Sequence, residues 1–295
     1  MELFFVKMHG LGNDFIIVDM PPPSMIAAIK AHAGWLADRR HGIGCDQILI
    51  TTKDDQADAG LIILNSDGSM AEACGNGTRC VAALMMQRLG KDHITLNSAG
   101  GMLKAWQAEN GLISVNMGQP RFDWMDIPLA QPADTSRLDL TPALNKEMDL
   151  DTELPPAMAI NIGNPHCIFA VADADRIPLA EIGPRLETHA IFPEKANIEF
   201  ISLIGENRIR MRVWERGAGI TSACGSGATA SAIAAHRLGL TDKKVTVVLD
   251  GGNLMINWTD DGAIMTGTAT KVFQGQMILP LSDPYADDQA GELDD

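Results

Sequence analysis

The sequence predicts an α+β fold of two pseudo-symmetric, duplicated domains, each a β-rich sheet or barrel wrapped around one central helix. Two observations carry that reading. The segment Ala73-Cys74-Gly75-Asn76-Gly77 returns as Ala223-Cys224-Gly225-Ser226-Gly227, with the cysteines 150 residues apart. Shorter matches extend the repeat in order: Gly12-Asn13 with Gly163-Asn164, Arg88-Leu89-Gly90 with Arg237-Leu238-Gly239, and Gly100-Gly101 with Gly251-Gly252. Self-similarity at so long an interval means two related domains, because solenoid repeats are several-fold shorter. The expected domains are 1–120 and 121–267, with 268–281 returning to the first and an active site in the cleft between the two.

The elements follow from local pattern. Residues 1–7 read as a first strand. Residues 15–18, 61–64, 113–115, 168–171, 209–213 and 245–249 are β-branched or alternating runs bounded by Gly, Asn or Asp. Stretches 24–37 and 179–189 are helical and hold comparable places in the two halves. The helices after the cysteines, 78–89 and 228–238, are apolar nearly all round, so each is expected to be buried by surrounding strands. Residues 122–156, with prolines and mixed charge, read as the inter-domain region with an irregular insertion.

Composition narrows the partners. The 295 residues are 46% hydrophobic, enough for two cores. The formal net charge of −15 excludes nucleic acid and anionic membrane surfaces as natural partners, since both select Lys and Arg. Asp283, Asp287, Asp288, Glu292, Asp294 and Asp295 lie in an acidic tail, 282–295, expected to be disordered; without those six the charge is still −9. No basic leader or long apolar segment is visible, and the five cysteines lack disulfide-scaffold spacing, so a reducing cytoplasm is expected.

The two repeated cysteines carry the chemistry. A helix start offers unpaired N–H groups and a positive dipole end, which favour a thiolate and an anionic substrate group. One base cannot reach both faces of a carbon, so two such thiols acting on one substrate suit a cofactor-free racemase or epimerase. The α-proton of an amino acid is far less acidic than a thiol, so the developing enediolate needs strong stabilisation; the backbone N–H groups of Gly75, Asn76, Gly225 and Ser226 are the candidate donors. Cys45, Cys80 and Cys167 lack the repeated context and read as packing residues. No metal is expected, because the adjacent His166 and Cys167 are poorly placed to share one ion and no spaced ligand set completes a site. No nucleotide is expected either: His9-Gly10-Leu11-Gly12-Asn13 lacks the third glycine of a dinucleotide loop.

Several motifs, taken in order, resemble those of the diaminopimelate epimerase family. They are Lys7-Met8-His9-Gly10-Leu11-Gly12-Asn13-Asp14-Phe15, Asn65-Ser66-Asp67-Gly68-Ser69, Ala73 to Cys80, Gly163-Asn164-Pro165-His166-Cys167, and the run from Glu215-Arg216-Gly217 to Cys224-Gly225-Ser226-Gly227. The resemblance implies a cofactor-independent enzyme that interconverts LL- and meso-diaminopimelate in lysine biosynthesis, acting as a homodimer. It implies a catalytic set of Cys74, Cys224, His166 and Glu215, the last two orienting substrate and tuning thiol protonation. Glu215 and Asn65 each stand nine residues before their cysteine, so the halves have specialised, one for charge and one for neutral hydrogen bonding. Arg216 is the natural clamp for the distal carboxylate. By the same resemblance Asn65, Asn164 and Asn197 share that distal group, while Asn13 and Gln47 line the site. Three positions depart from the common pattern: Ile220 in place of Glu, Cys45 in place of a small residue, and Phe273 in place of Tyr near a dimer contact.

Two rivals fit the same fold. A proline or hydroxyproline racemase would carry Asp-Arg-Ser-Pro-Cys at its second cysteine, whereas this chain has Glu215-Arg216-Gly217 and a distal-carboxylate set that a proline-like substrate would not need. A non-catalytic amino-acid-binding protein would have no use for two thiols.

Overall fold

The computed structural model describes residues 1–140 and 154–280. The acidic tail and part of the expected insertion lie outside the described residues. By its contacts the chain forms two compact units, Met1–Gln107 with the segment from Thr268, and Ala108–Gly267. Residues 108–120, grouped by sequence with the first half, fall in the second unit, where Ile113–Asn116 pairs with Gly262–Gly267.

In the first unit, β1 (Glu2–Gly10) pairs antiparallel with β2 (Asn13–Val18), and β2 runs parallel to β3 (Gln47–Thr52). A parallel step needs a crossover. It is made here by α1 (Pro23–Ala31) and α2 (Ala33–Ala37), into which the single expected helix divides at His32. Strand β3 pairs antiparallel with β4 (Ala59–Asn65), which carries the short β5 (Met70–Ala71). Helix α3 (Gly75–Leu89) then crosses to β6 (His93–Ser98), parallel to β4, and β7 (Gly101–Gln107) closes antiparallel on β6. On the other side of β1 lies the last described strand of the chain, Thr270–Ile278.

The second unit opens with β8 (Ile113–Asn116) and then repeats the same order. Strand β9 (Met158–Asn161) pairs antiparallel with β10 (Pro165–Ala170), and β10 runs parallel to β11 (Asn197–Gly205) across α4 (Leu179–Glu187). Strand β12 (Arg208–Glu215) pairs antiparallel with β11 and carries β13 (Gly219–Ile220). Helix α5 (Gly225–Arg237) crosses to β14 (Lys244–Leu249), followed antiparallel by β15 (Gly252–Thr259) and β16 (Gly262–Gly267). The strand Thr270–Ile278, β17, completes the described chain.

Each unit's inner strands are covered on both faces, which explains their nearly continuous apolar runs. In the first, Ile16, Val18, Ile48 and Ile50 pack under α1 and α2, while the intervening residues of β2 and β3 face the side on which α3 packs. In the second, Cys167, Phe169, Ile198 and Phe200 pack under α4, while His166, Ile168, Asn197 and Glu199 alternate to the side taken by α5. The central helices are buried as expected, but they begin three residues earlier than the apolar pattern suggests. Cys74 and Cys224 are themselves the N-caps, and each sulfur accepts the N–H of the glycine three residues on. Gly-Asn-Gly and Gly-Ser-Gly are weak helix formers, so propensity hid these first turns.

Phe169 and Phe200 stack with ring centroids 5.0 Å apart in the second core. Phe200→Ala should therefore cost about 3–5 kcal/mol of stability. Urea unfolding of the variant measures it, with an unchanged midpoint contradicting the packing described.

Candidate active site

Strand direction brings one set of polar side chains to each cysteine. In the first unit Asn13 and Gln47 begin β2 and β3, and Asn65 ends the antiparallel β4, so all three lie at one edge of the sheet. Cys74 caps α3 beside them. Its sulfur accepts from the Gly77 N–H at 3.3 Å and lies 4.0 Å from Asn13 Oδ1. Asn76 Nδ2 donates to the same Asn13 oxygen at 3.3 Å. Gln47 Nε2 donates to Asn65 Oδ1 at 2.9 Å, and Asn65 Nδ2 donates to Ser69 Oγ at 3.0 Å. Asn13, Gln47 and Asn65 are thus gathered at the edge that carries Cys74, whereas Asn164 and Asn197, which the resemblance groups with Asn65, belong to the second unit.

An ion network that the sequence reading missed holds this edge in place. Lys7 Nζ lies 2.6 Å from Asp14, and Arg39 lies 2.7 Å from both Asp14 and Asp46. Asp46 in turn accepts from Asn13 Nδ2 at 2.8 Å and from the Asp14 N–H at 3.0 Å. Lys7 also donates to the Gly44 carbonyl. Burial pushes the Asp14 carboxyl up, but hydrogen bonds and charge from Arg39 and Lys7 overcome it and hold the group well below the usual carboxylate range.

In the second unit Asn197 begins β11, Glu215 ends β12, and Asn164 immediately precedes β10. Cys224 caps α5, accepting from the Gly227 N–H at 3.3 Å, with Ser226 Oγ 3.6 Å away. Glu215 hydrogen-bonds with Thr221 and Cys224, and burial raises its carboxyl above the ordinary value despite both bonds. His166 is fully buried: Nδ1 lies 2.6 Å from Glu199 Oε1 and Nε2 lies 2.8 Å from Asn164 Oδ1. The Cys224 thiol is pushed well up, first by burial and then by Glu215 and Glu199. Asn197 is also buried, its amide donating to Pro165 O and accepting from the Arg216 N–H, both at 2.9 Å. Arg216 is exposed, with one guanidinium N–H on Glu194 O at 3.2 Å.

The remaining thiols are buried. Burial pushes Cys45 and Cys80 up to about 12 and Cys167 well above its usual value, and none of the three caps a helix as Cys74 and Cys224 do. Among the described residues no three His, Cys, Asp or Glu side chains cluster as a metal site, and no helix is long and apolar enough to cross a membrane.

This arrangement has close counterparts among known proteins. The sequence profile of diaminopimelate epimerase matches residues 5–123 and 158–272, which contain both cysteines. The chain is 47% identical to the diaminopimelate epimerase of Sphingopyxis alaskensis over 92% of its own length and 96% of that protein. The chain belongs to the diaminopimelate epimerase family. The enzyme of the same name from Acidiphilium cryptum is 46% identical, over 95% of this chain and 98% of the relative. The fold is shared more widely than the family's sequence. A hydroxyproline epimerase from Agrobacterium vitis superposes with a TM-score of 0.64 at 16% identity, covering 96% of this chain and 93% of its own. A PhzF-family phenazine biosynthesis protein from Bacillus anthracis superposes with a TM-score of 0.63 at 16% identity, covering 94% and 99%. At such identity the likeness is one of fold.

Asp14→Asn should cost about 3 kcal/mol at pH 7, because it leaves the buried Lys7 without its carboxylate. The folded-state pKa of Asp14 is depressed, so its contribution is fully present above the unfolded value of about 3.9 and is lost as pH falls toward the folded one. Urea titrations of wild type and variant should therefore converge only in acid; a gap unchanged at low pH would refute this linkage.

Proposed function

We propose that this chain is a cofactor-independent epimerase that interconverts LL- and meso-2,6-diaminopimelate, with Cys74 and Cys224 as its acid–base pair. The observation that carries this reading is the repeated cap: each cysteine sits at the amino end of a buried helix, with its sulfur on the N–H three residues ahead. Membership of the diaminopimelate epimerase family supplies the substrate. In each turnover one sulfur, as thiolate, takes the α-proton, and the other, as thiol, returns a proton to the opposite face. The handedness of the substrate decides which sulfur is the base.

The charge that develops on the α-carboxylate is met by the backbone N–H groups of Gly75, Asn76, Gly225 and Ser226. Loss of one comparable donor costs roughly 3–4 kcal/mol in the barrier. Glu215, bonded to Cys224, tunes that thiol. His166 has no exposed surface, so it works by holding its neighbours rather than by touching substrate. Asn13, Gln47, Asn65, Asn164 and Asn197 build the polar surround, and Arg216 clamps the distal carboxylate. Its exposed guanidinium, held by one backbone carbonyl, keeps other N–H donors for a ligand. The reaction serves lysine biosynthesis in the cytoplasm. The functional form is a homodimer, a reading supported by the exposed apolar side chains of Phe4, Val272, Phe273 and Ile278 on the paired β1 and β17.

Cys74→Ala and Cys224→Ala should each abolish epimerisation while leaving the fold intact, since each face loses its only proton carrier. Turnover of LL-diaminopimelate followed in heavy water, with circular dichroism as the control, decides it; wild-type rates in either variant would end the two-base mechanism. The same assay with proline as substrate should show no α-hydrogen exchange.

Arg216→Lys keeps the charge but loses the planar two-point grip. Charge-assisted hydrogen bonds are worth about 1.5–3 kcal/mol, so kcat/KM should fall by roughly one to two decades. An analogue without the distal carboxylate should react equally poorly with both proteins. If the variant matches wild type on diaminopimelate, Arg216 is not the clamp.

A further inference from the structure

The two halves share one topology, yet they differ at a buried spot beside each cysteine. In the first half, Phe15 and Leu49 are fully buried on neighbouring parallel strands, with Phe15 in register with Gln47. In the second, His166 and Glu199 take the same places, with His166 in register with Asn197. The equivalence extends to the helix start. A methyl group built on Gly77 would meet Leu49 at 2.9 Å and the Cys74 sulfur at 3.2 Å. One built on Gly227 would meet Glu199 Oε1 at 2.7 Å and the Cys224 sulfur at 3.2 Å.

The fold does not demand a polar pair there, because the first half closes around an apolar one. A buried ionisable pair is weak as a source of stability and is often replaceable by packed hydrophobic residues. Oε1 of Glu199 is on His166 and the carboxyl also takes a backbone bond from Cys167, yet Oε2 is buried with no hydrogen-bond partner of its own among the described residues, and burial raises the group above its ordinary value. Groups left in that condition need a reason other than stability.

We propose that Glu199 is a positioning residue for proton transfer at Cys224: it fixes the His166 ring and sets a buried carboxylate against the amino end of the helix that carries the thiol. The proposal rests on the assignment of Cys224 to the acid–base pair. A helix amino end by itself stabilises a thiolate. At Cys74 the spot holds the apolar Leu49, and the charge that acts on this sulfur is the buried guanidinium of Arg79, which favours a thiolate. At Cys224 the charges facing the sulfur are Glu199 from β11 and Glu215 from β12, with His166 from β10 behind them. The carboxylates oppose the helix and keep that sulfur protonated. The duplicated halves thus bias the free protein toward a Cys74 thiolate and a Cys224 thiol, the state that one hand of the substrate uses; the other hand uses the state left after that turnover, with the proton on Cys74.

Iodoacetamide alkylation read by peptide mapping, without substrate, tests this. In the wild type Cys74 should react well before Cys224 at pH 8. Glu199→Gln removes one like charge, so alkylation of Cys224 at pH 8 should rise about tenfold, with Cys74 unchanged. The rates at Cys224 should converge at high pH, where the thiol is ionised in both proteins. A rise that persists at every pH would mean loosened packing and would overturn the proposal, as would no rise at all. His166→Phe with Glu199→Leu installs the pair around which the first half already folds, and it should show the same pH-dependent rise at Cys224. Kinetically, Glu199→Gln should lower kcat about tenfold or more while KM stays within about threefold, the pattern of a group acting on the chemical step. A wild-type protein inactive on diaminopimelate would sink the substrate assignment and leave the alkylation result standing.

Discussion

Everything in this molecule that bears on chemistry depends on how a cysteine caps a buried helix. The cap places the sulfur where the first N–H groups have no partner within the helix, so a donor and a field are supplied without any charged side chain. That geometry favours a third helical residue with no side chain. At Gly77 and Gly227 a methyl group would crowd the sulfur at 3.2 Å and the side chain of Leu49 or Glu199 at 2.9 or 2.7 Å. The glycines therefore belong to the reactive site rather than to chain flexibility. Burial of the helices follows from the same need, since strands covering them keep the cap dry and its weak interactions strong.

The second constraint is strand direction. Each unit alternates antiparallel pairs with two parallel steps, and each parallel step is bridged by helix. This brings the starts of two strands and the end of a third to the edge that meets the helix start. Asn13, Gln47 and Asn65 gather there in one unit, and Asn164, Asn197 and Glu215 gather there in the other. The backbone supplies the same positions twice. Side chains then make the two edges unlike: a hydrogen-bonded amide chain braced by a partly buried ion network beside Cys74, and an acid–imidazole–acid cluster beside Cys224.

That difference is where duplication became specialisation. A symmetric pair of thiols would share one proton affinity, and neither would be set as donor or acceptor. Carboxylates near Cys224, and apolar packing with the buried Arg79 near Cys74, separate the two without altering the backbone. The buried imidazole–carboxylate pair belongs to the second half, where the first half has Phe15 and Leu49.

Much of this was legible in the sequence. The duplication, the two central helices and the cysteines at their starts follow from a repeated motif and an apolar run, both local signals. Asn65 and Glu215 could be matched because each stands at a fixed distance from its cysteine. The first turns of α3 and α5 were obscured because glycine-rich segments do not announce a helix, and α1 and α2 read as one element because the break at His32 leaves the pattern intact. The membership of Ile113–Asn116 in the second unit rests on pairing with a strand far along the chain, which no local pattern encodes. Glu199 was hidden for a sharper reason. In Asn197-Ile198-Glu199-Phe200 the alternation is that of a strand with one wet face, so the acid looks exposed; only the packing of α5 over that face buries it and sets it against His166. Sequence determined which residues repeat, because repetition is a property of order along the chain. Tertiary structure alone decided which charges face each sulfur, because those charges reach it from separate strands through space.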